Sequence, residues 1–137
     1  LDTKSRNEVK VSGVKVKVGM QNYKDLIVWQ KSHLLILEIY RITRKFPKEE
    51  QYILTSQLKR ACLSVVLNIV EGCGKYTDAD TANFFQTSLG SIQETEYCLL
   101  LSKELEYINK EEYIQLEQST GAIKGMYVNL AHKANSR

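Results

Sequence analysis

The chain has 137 residues, a length that fits one ordinary domain. Apolar residues make up 43% and charged residues 26%, a composition that excludes disorder throughout the chain. One proline and seven glycines leave too little material for the repeated tight turns of a β-sandwich or β-barrel. We therefore expect an all-α fold.

The formal net charge of +3 is unevenly distributed along the chain. Residues 1–19 carry +3, residues 20–75 carry +4 and residues 76–137 carry −4. The positive charges between residues 41 and 75 could form a surface that attracts phosphate. The same lysines and arginines could instead only complement the dipoles of helix ends, as they commonly do. These residues are Arg41, Arg44, Lys45, Lys48, Lys59, Arg60 and Lys75.

The first nineteen residues differ in composition from the rest of the chain. From Glu8 to Val18, valine alternates with lysine, serine or glycine, which fits an edge strand or a flexible tail. We interpret residues 1–19 as a flexible basic extension and residues 20–137 as the folded domain.

The domain contains four helical patterns joined by short loops, over residues 25–45, 52–71, 77–107 and 109–133. Asp25 is the expected N-cap of the first helix, and Pro47 ends it because proline cannot donate a backbone hydrogen bond. Short connections place consecutive long helices antiparallel. The sequence thus predicts an up-down-up-down four-helix bundle.

Further capping signals mark the other helix ends. Gly72 and Gly74 are expected as left-handed C-cap residues of the second helix. Thr77 opens the third helix with a sequence that resembles a capping box. Asn109 opens the fourth, with Glu112 three residues later.

The second helix has more apolar surface than one core requires. At about 100° per residue, its side chains form an inner apolar row, a second apolar row and a polar row. These are, respectively, Leu58, Cys62, Val65 and Ile69; Leu63, Val66, Leu67 and Val70; and Gln57, Arg60, Ser64, Asn68 and Glu71. The second row predicts a homo-oligomer interface. We interpret the polar row as a structural network in which Arg60 pairs with a carboxylate such as Glu71, Glu94 or Glu96.

Small residues recur at helical spacing in the last two helices and would let neighbouring helices approach closely. In the third helix they are Ser88, Ser91, Thr95, Cys98 and Ser102. In the fourth, Gly121 and Gly125 either play this role or are merely weak helix positions.

The sequence favours no catalytic chemistry. His33 and His132 form no E-x-x-H or H-x-x-x-H pair, so a di-iron or zinc site lacks ligands at suitable spacing. Gly72-Cys73-Gly74-Lys75 lacks the spacing of a phosphate-binding loop. Cys62, Cys73 and Cys98 predict reduced thiols that act as small apolar residues. We expect a non-enzymatic, cytoplasmic protein with no cofactor and no metal.

A membrane span and a secretory signal are also absent from the pattern. The longest apolar candidate, residues 34–42, is interrupted by Glu38 and Arg41. We therefore expect no membrane partner.

Several blocks, in order and over roughly residues 22–135, resemble the bacterial 23S rRNA intervening-sequence proteins, once labelled S23 ribosomal proteins. The blocks are Leu26-x-Val28-Trp29-Gln30-Lys31, Phe46-Pro47-Lys48-Glu49-Glu50, Leu54-Thr55-Ser56-Gln57-Leu58-Lys59-Arg60-Ala61, Ser64, Asn68-Ile69-x-Glu71-Gly72 and Gly90-Ser91-x-x-Glu94-x-Glu96. Val66 departs from the family pattern, where many relatives have proline, and Cys62 and Val70 replace smaller residues.

The resemblance implies a homopentameric ring with no established catalytic activity. The family is also similar to the accessory bundle of diversity-generating retroelements, a more basic protein that binds nucleic acid and docks a reverse transcriptase. Two functions stay open for this chain. One is weak, non-sequence-specific binding of RNA or DNA through Arg41, Arg44, Lys45, Lys48, Lys59 and Lys75. The other is a scaffold that docks another protein, for example a reverse transcriptase, without contacting nucleic acid.

Overall fold

The computed structural model describes the backbone of residues 8–11, 14–17 and 22–135, and the side chains of residues 22–130. Two short strands, β1 and β2, precede four helices, α1 to α4. Their bounds are Glu8–Val11, Val14–Lys17, Ile27–Thr43, Leu54–Cys73, Asp78–Glu104 and Lys110–Asn135. The helices form the predicted up-down-up-down four-helix bundle, which confirms the fold class. No helix in the described residues is long and apolar enough to cross a membrane.

The strands account for the alternating pattern near the N-terminus. They pair antiparallel, with Val9 opposite Val16 and Lys10 opposite Lys15. The other residues of the predicted extension, up to residue 19, lie outside the described part of the chain. Flexibility of residues 1–19 therefore stays a prediction.

The caps of α3 and α4 follow the sequence signals. Thr77 Oγ1 accepts a hydrogen bond from the backbone N–H of Asp80 at 3.1 Å. At the start of α4, the side chain of Asn109 accepts from the N–H of Glu112 at 2.8 Å, and Glu112 Oε1 accepts from the N–H of Asn109 at 3.2 Å. This reciprocal pair is a complete capping box.

Two other capping predictions are wrong. Asp25 lies in a short 3₁₀ turn, and Leu26 occupies the N-cap of α1 without a side-chain hydrogen bond. Gly74 caps α2 with φ −88° and ψ 2°, outside the left-handed region, and Gly72 lies within the helix. Gly72 is required for a different reason, because a Cβ atom there would lie 2.9 Å from Cε1 of Phe85 in α3.

The inner apolar row of α2 forms the centre of the core as predicted. Leu58, Cys62, Val65 and Ile69 are fully buried. The small-residue row of α3 is buried as well, consistent with close helix approach. Gly121 and Gly125 do not take this role, since each is exposed and an added Cβ would meet no atom within 4 Å.

A buried polar group in the core joins all four helices. The backbone carbonyl of Val65 in α2 accepts hydrogen bonds from Ser88 Oγ of α3 at 2.9 Å and from Tyr127 Oη of α4 at 3.0 Å. Ser32 Oγ of α1 lies 3.4 Å from the same tyrosine hydroxyl. Burial raises the pKa of Tyr127 to about 12, so the hydroxyl keeps its proton at neutral pH. We call these groups the Val65 hub.

The three cysteines are buried thiols, as the sequence predicts. Burial raises the pKa of the Cys62 thiol to about 12, which disfavours the reactive thiolate.

Candidate functional site

An exposed apolar surface runs along the outer sides of α1 and α2. Its members are Leu34, Leu37, Tyr40, Leu63 and Leu67, with exposed fractions between 39% and 65%. We call this set the apolar face. An exposed leucine is ordinary by itself, but a contiguous apolar patch on a small domain is typical of an interaction surface.

The alignment of α1 with α2 places these residues at matching heights along the bundle. The Lys59 ammonium of α2 lies 4.9 Å from the centre of the Tyr40 ring of α1. Because the two helices run antiparallel, one helical turn away from this contact places Leu37 and Leu63 at the same level. A second turn brings Leu34 and Leu67 to the same height, with Leu34 on the side of α1 that borders α4.

The second apolar row of α2 is only partly available to a partner. Leu63 and Leu67 are exposed as predicted, whereas Val66 is 8% exposed and Val70 is half-buried. Neighbouring parts of the bundle cover the flank of α2 on which the valines lie, so the prediction is wrong for Val66. The exposed leucines and tyrosine of α1 extend the surface instead.

Acidic residues lie beside the predicted phosphate-binding cations of α1. Glu112 Oε2 is 3.5 Å from Lys45 Nζ and 3.8 Å from Arg41 Nη2. Glu38 forms a hydrogen-bonded ion pair with Arg41. The hydrogen bond from Arg41 lowers the pKa of Glu38, and the Glu38 carboxylate raises the pKa of Arg41. Of the four predicted cations around the end of α1, Arg41 and Lys45 are therefore partly neutralised within the chain.

This compensation is not visible in the linear pattern of charges along the sequence. In an up-down-up-down bundle, α1 ends where α4 begins, so the cations of Arg41 and Lys45 meet the acidic first turn of α4. The position of Glu112 could therefore have been predicted from the topology of the bundle.

The remaining predicted cations do not form one surface. Arg44 and Lys48 are exposed, and neither forms an ion pair with another residue in the described part of the chain. Lys59 is held over Tyr40. Lys75 lies past the other end of α2, where its ammonium is 3.8 Å from Glu71 and 4.9 Å from the centre of the Phe84 ring. The six predicted phosphate ligands are thus divided between the two ends of the bundle.

The predicted polar network exists in a different form. Ser64 and Ser91 share a hydrogen bond of 2.8 Å, and Asn68 Nδ2 donates to the backbone carbonyl of Ser64 at 2.8 Å. Gln57 Nε2 donates to Glu94 at 3.2 Å. These contacts join α2 to α3 through neutral side chains and one carboxylate.

Arg60 is not part of that network, so its predicted burial is wrong. The residue is exposed, and no other residue in the described ranges is hydrogen-bonded to its side chain. The predicted partners have other contacts, since Glu71 faces Lys75 and Glu96 accepts from Lys124 at 3.2 Å. Arg60 lies about 200° around α2 from Leu58, which directs it away from the core.

A groove between the start of α2 and the middle of α3 was not predicted. Its volume is about 600 Å³, and its lining is mostly apolar. Glu50 and Glu94 add two carboxylates, and the exposed side chains of Ile53 and Tyr97 are part of the lining. The lining residues are Glu50, Ile53, Leu54, Gln57, Gln93, Glu94, Tyr97, Cys98 and Leu101. We call this feature the acidic groove.

The carboxylates of the groove are held by neighbouring side chains. Tyr107 Oη donates to Glu50 Oε2 at 2.9 Å, and this hydrogen bond raises the pKa of Tyr107. The second carboxylate, that of Glu94, accepts the hydrogen bond from Gln57 described above. Burial, with a further contribution from Glu94, raises the pKa of Cys98 at the groove floor.

Metal-ligating groups are not clustered in the described residues, where no three His, Cys, Asp or Glu side chains come together to hold an ion. The imidazole of His33 stacks on the Trp29 indole, with ring centres 4.9 Å apart. The side chain of His132 lies outside the described residues.

Comparison with known proteins identifies relatives. A structure from the S23 ribosomal protein family of Bacteroides thetaiotaomicron VPI-5482, a protein of unknown function, has a TM-score of 0.72 to this chain. It is 24% identical, and the match covers 77% of this chain and 98% of that one, which establishes a shared fold. No curated protein matches the chain. Residues 24–129 match the family described as 23S rRNA-intervening sequence protein. Because that match covers well over half of the sequence, the chain belongs to the 23S rRNA-intervening sequence protein family.

Proposed function

We propose that this protein is a non-catalytic, self-assembling scaffold. Copies associate through the apolar face into a ring, of five copies as the family resemblance implies, and the ring presents repeated surfaces to a protein partner. The observation that carries the proposal is the exposure of Leu37, Tyr40, Leu63 and Leu67 on two adjacent helices, with Leu34 one turn further along α1 on the side that borders α4.

Burial of the apolar face would release a free energy comparable to the stability of a small domain. Fully burying one leucine-sized side chain contributes roughly 1.5 to 3 kcal/mol. Five half-exposed side chains therefore offer a total comparable to the ~5 to 15 kcal/mol net stability of a domain. Association recovers part of that free energy, whereas an isolated chain leaves the apolar face in water.

The test substitutes a charge on α2 at the end of the face furthest from Tyr40. Leu67→Glu places an unpaired carboxylate in the interface, at a cost of about 3 kcal/mol, equivalent to a loss of affinity of about 100-fold. We expect the parent to have an oligomeric mass by light scattering at micromolar concentration and the variant to have the mass of one chain. Circular dichroism should show equal helix content.

Leu105→Glu is the matched control, since Leu105 is 44% exposed but lies at the end of α3, away from the apolar face. This variant should keep the parental mass. A monomeric parent would contradict the proposal, and so would dissociation of both variants to the same extent.

Nucleic-acid binding is a second candidate function. It is favoured by Arg44 and Lys48, which are exposed and form no ion pair with another described residue. A ring would repeat this pair in every copy, so weak phosphate contacts along one strand would combine. Glu112 weakens the candidate, because a carboxylate beside Arg41 and Lys45 repels the same strand.

The RNA candidate has its own experiment. Arg44→Glu with Lys48→Glu should lower affinity for mixed-sequence RNA at low salt by about 10-fold or more, because fewer cations on the protein release fewer counterions from the phosphates. The control is Lys24→Glu with Lys31→Glu, which makes an equal change of net charge near the opposite end of α1. Equal losses in both variants would indicate a non-local charge effect. A parent that does not bind RNA would exclude the candidate.

A further inference from the structure

The two carboxylates of the acidic groove are held in place by neutral groups. Glu50 accepts its hydrogen bond from the hydroxyl of Tyr107, and Glu94 accepts its hydrogen bond from the amide of Gln57. Neither glutamate forms an ion pair with a residue in the part of the chain that the structure describes. The hydrogen bonds therefore orient both carboxylates without compensating their negative charge.

Other glutamates of the bundle face cations of the same chain. The carboxylates of Glu71, Glu96 and Glu112 lie 3.8, 3.2 and 3.5 Å from lysine ammonium groups. The lining of the acidic groove, by contrast, includes no lysine, arginine or histidine among the described residues. A cation supplied by another molecule would therefore meet uncompensated carboxylates in this groove.

Apolar side chains make up most of the remaining lining of the groove. Leu54, Cys98 and Leu101 line it, and Ile53 and Tyr97 add side chains that are 69% and 62% exposed. Covering these side chains removes apolar surface from water, which favours a partner with apolar groups of its own. The carboxylates repel a nucleic-acid backbone, so the groove suits a protein that is both apolar and basic.

The spacing of the two carboxylates indicates the shape of the occupant. Glu94 lies beside Gln57, and Glu50 precedes Gln57 by seven residues, through the turn that leads into α2. Seven residues of helix rise about 10 Å, so the two glutamates are separated by roughly this distance along the groove. In a partner helix, positions i and i+7 have the same separation and share one face with positions i+3 and i+4.

We propose that the acidic groove binds an amphipathic helix of a partner protein, which carries two basic residues two turns apart with aliphatic residues between them. The basic residues pair with Glu50 and Glu94, and the aliphatic residues cover the apolar lining. Such a helix lies in the groove between α2 and α3, a common way for proteins to bind helical segments. This inference rests on the docking role in the proposed function and is independent of self-assembly.

A synthetic peptide tests the inference. The probe is a fluorescein-labelled, alanine-based helical peptide of about 15 residues, in which two lysines seven positions apart flank two adjacent leucines. Fluorescence anisotropy should show saturable binding to the full chain with a dissociation constant below about 1 mM. A peptide of the same composition, with its lysines on the opposite face of the helix, should bind about 10-fold more weakly or worse. Absence of probe binding, or equal binding of both peptides, would overturn the inference.

Removing the charges of the groove should weaken probe binding. Glu50→Gln with Glu94→Gln keeps an acceptor for each neutral donor but removes both negative charges, and we expect a loss of affinity of about 10-fold. The matched control is Glu104→Gln with Glu111→Gln, which removes the same charge at two exposed residues outside the groove. This control should bind the probe like the parent, and equal losses in both variants would contradict pairing within the groove.

The apolar contribution is tested at two tyrosines of similar exposure. Tyr97→Ala should weaken probe binding by about 5-fold to 10-fold, because the ring loses its apolar contact with the leucines. Tyr76 is 70% exposed and lies between α2 and α3 at the other end of the bundle, so Tyr76→Ala should leave binding unchanged. Circular dichroism should show equal helix content in both variants. Equal binding by both variants would contradict the assignment of the groove.

Two further measurements separate this inference from the proposed self-assembly. Leu67→Glu should bind the probe like the parent, because Leu67 does not line the groove. A monomeric parent that binds the probe contradicts self-assembly alone, whereas an oligomeric parent that does not bind it contradicts the groove inference alone. If the probe lowers the mass of the oligomer in light scattering, the groove is a contact between copies, and its assignment to a partner protein is wrong.

Discussion

Leu58→Ala should lower the free energy of unfolding by about 2 to 5 kcal/mol, the range for leucine truncation at a fully buried site. Leu58 is completely buried in the inner row of α2. Alanine buries less apolar surface than leucine. The substitution also leaves a cavity that the surrounding helices fill only partly. This cost is a large share of the ~5 to 15 kcal/mol that stabilises a domain.

The measurement is urea denaturation followed by circular dichroism at one protein concentration, because association makes stability depend on concentration. Leu105→Ala is the control, with the same chemistry at a residue that is 44% exposed. It should cost less than about 1 kcal/mol. Equal losses at Leu58 and Leu105 would contradict the burial described for α2.

Alanine at two glycines of the bundle should change stability in opposite directions. Gly72→Ala places a Cβ 2.9 Å from Cε1 of Phe85, closer than packed atoms tolerate. Moving the ring or separating α2 from α3 costs about 1 to 3 kcal/mol, the range for overpacked cores. Gly121→Ala meets no atom within 4 Å and should stabilise α4 by roughly 0.5 to 1 kcal/mol through its higher helix propensity.

Thermal melting of both variants at equal concentration would check this pair. A lower melting temperature for Gly72→Ala and a higher one for Gly121→Ala is the expected result. Stabilisation by alanine at both positions would mean that α2 and α3 are not in close contact at Gly72.

The periodicity of the sequence predicts the helices and their inner faces well. Helical spacing depends on one chain segment at a time, so Leu58, Cys62, Val65 and Ile69 could be assigned to the core from α2 alone. The caps at Thr77 and Asn109 are equally local, since each side chain bonds to a backbone group three residues away. Local rules suffice where the partners lie within one turn.

Contacts between helices are harder to predict because they depend on how the helices are rotated against one another. Helical spacing placed Arg60 and Ser64 in the same polar row of α2. Of these two residues, Ser64 forms a hydrogen bond with α3 and Arg60 does not. The pairing of Lys45 with Glu112 spans 67 positions of sequence and follows from topology. Surface grooves cannot be predicted from helical periodicity, because their shape depends on how two helices pack. The acidic groove is an example.

Failed capping predictions have a similar physical cause. Asp25 has the right side chain for an N-cap, but the chain enters α1 through a 3₁₀ turn and leaves that aspartate one residue too early. Gly72 is required by its distance to Phe85, a requirement from tertiary packing that resembles a helix-end signal when only the sequence is read.

The Val65 hub restricts the ways in which the four helices can be assembled. Sliding α4 by one residue shifts it by about 1.5 Å and turns it by about 100°, which removes the Tyr127 hydroxyl from the Val65 carbonyl. Apolar residues could still fill such a shifted interior, but a buried hydroxyl without a partner costs about 1 to 3 kcal/mol. Slipped arrangements of similar hydrophobic content are therefore penalised. The three polar side chains of the Val65 hub, which come from three different helices, thus select a single alignment of the helices.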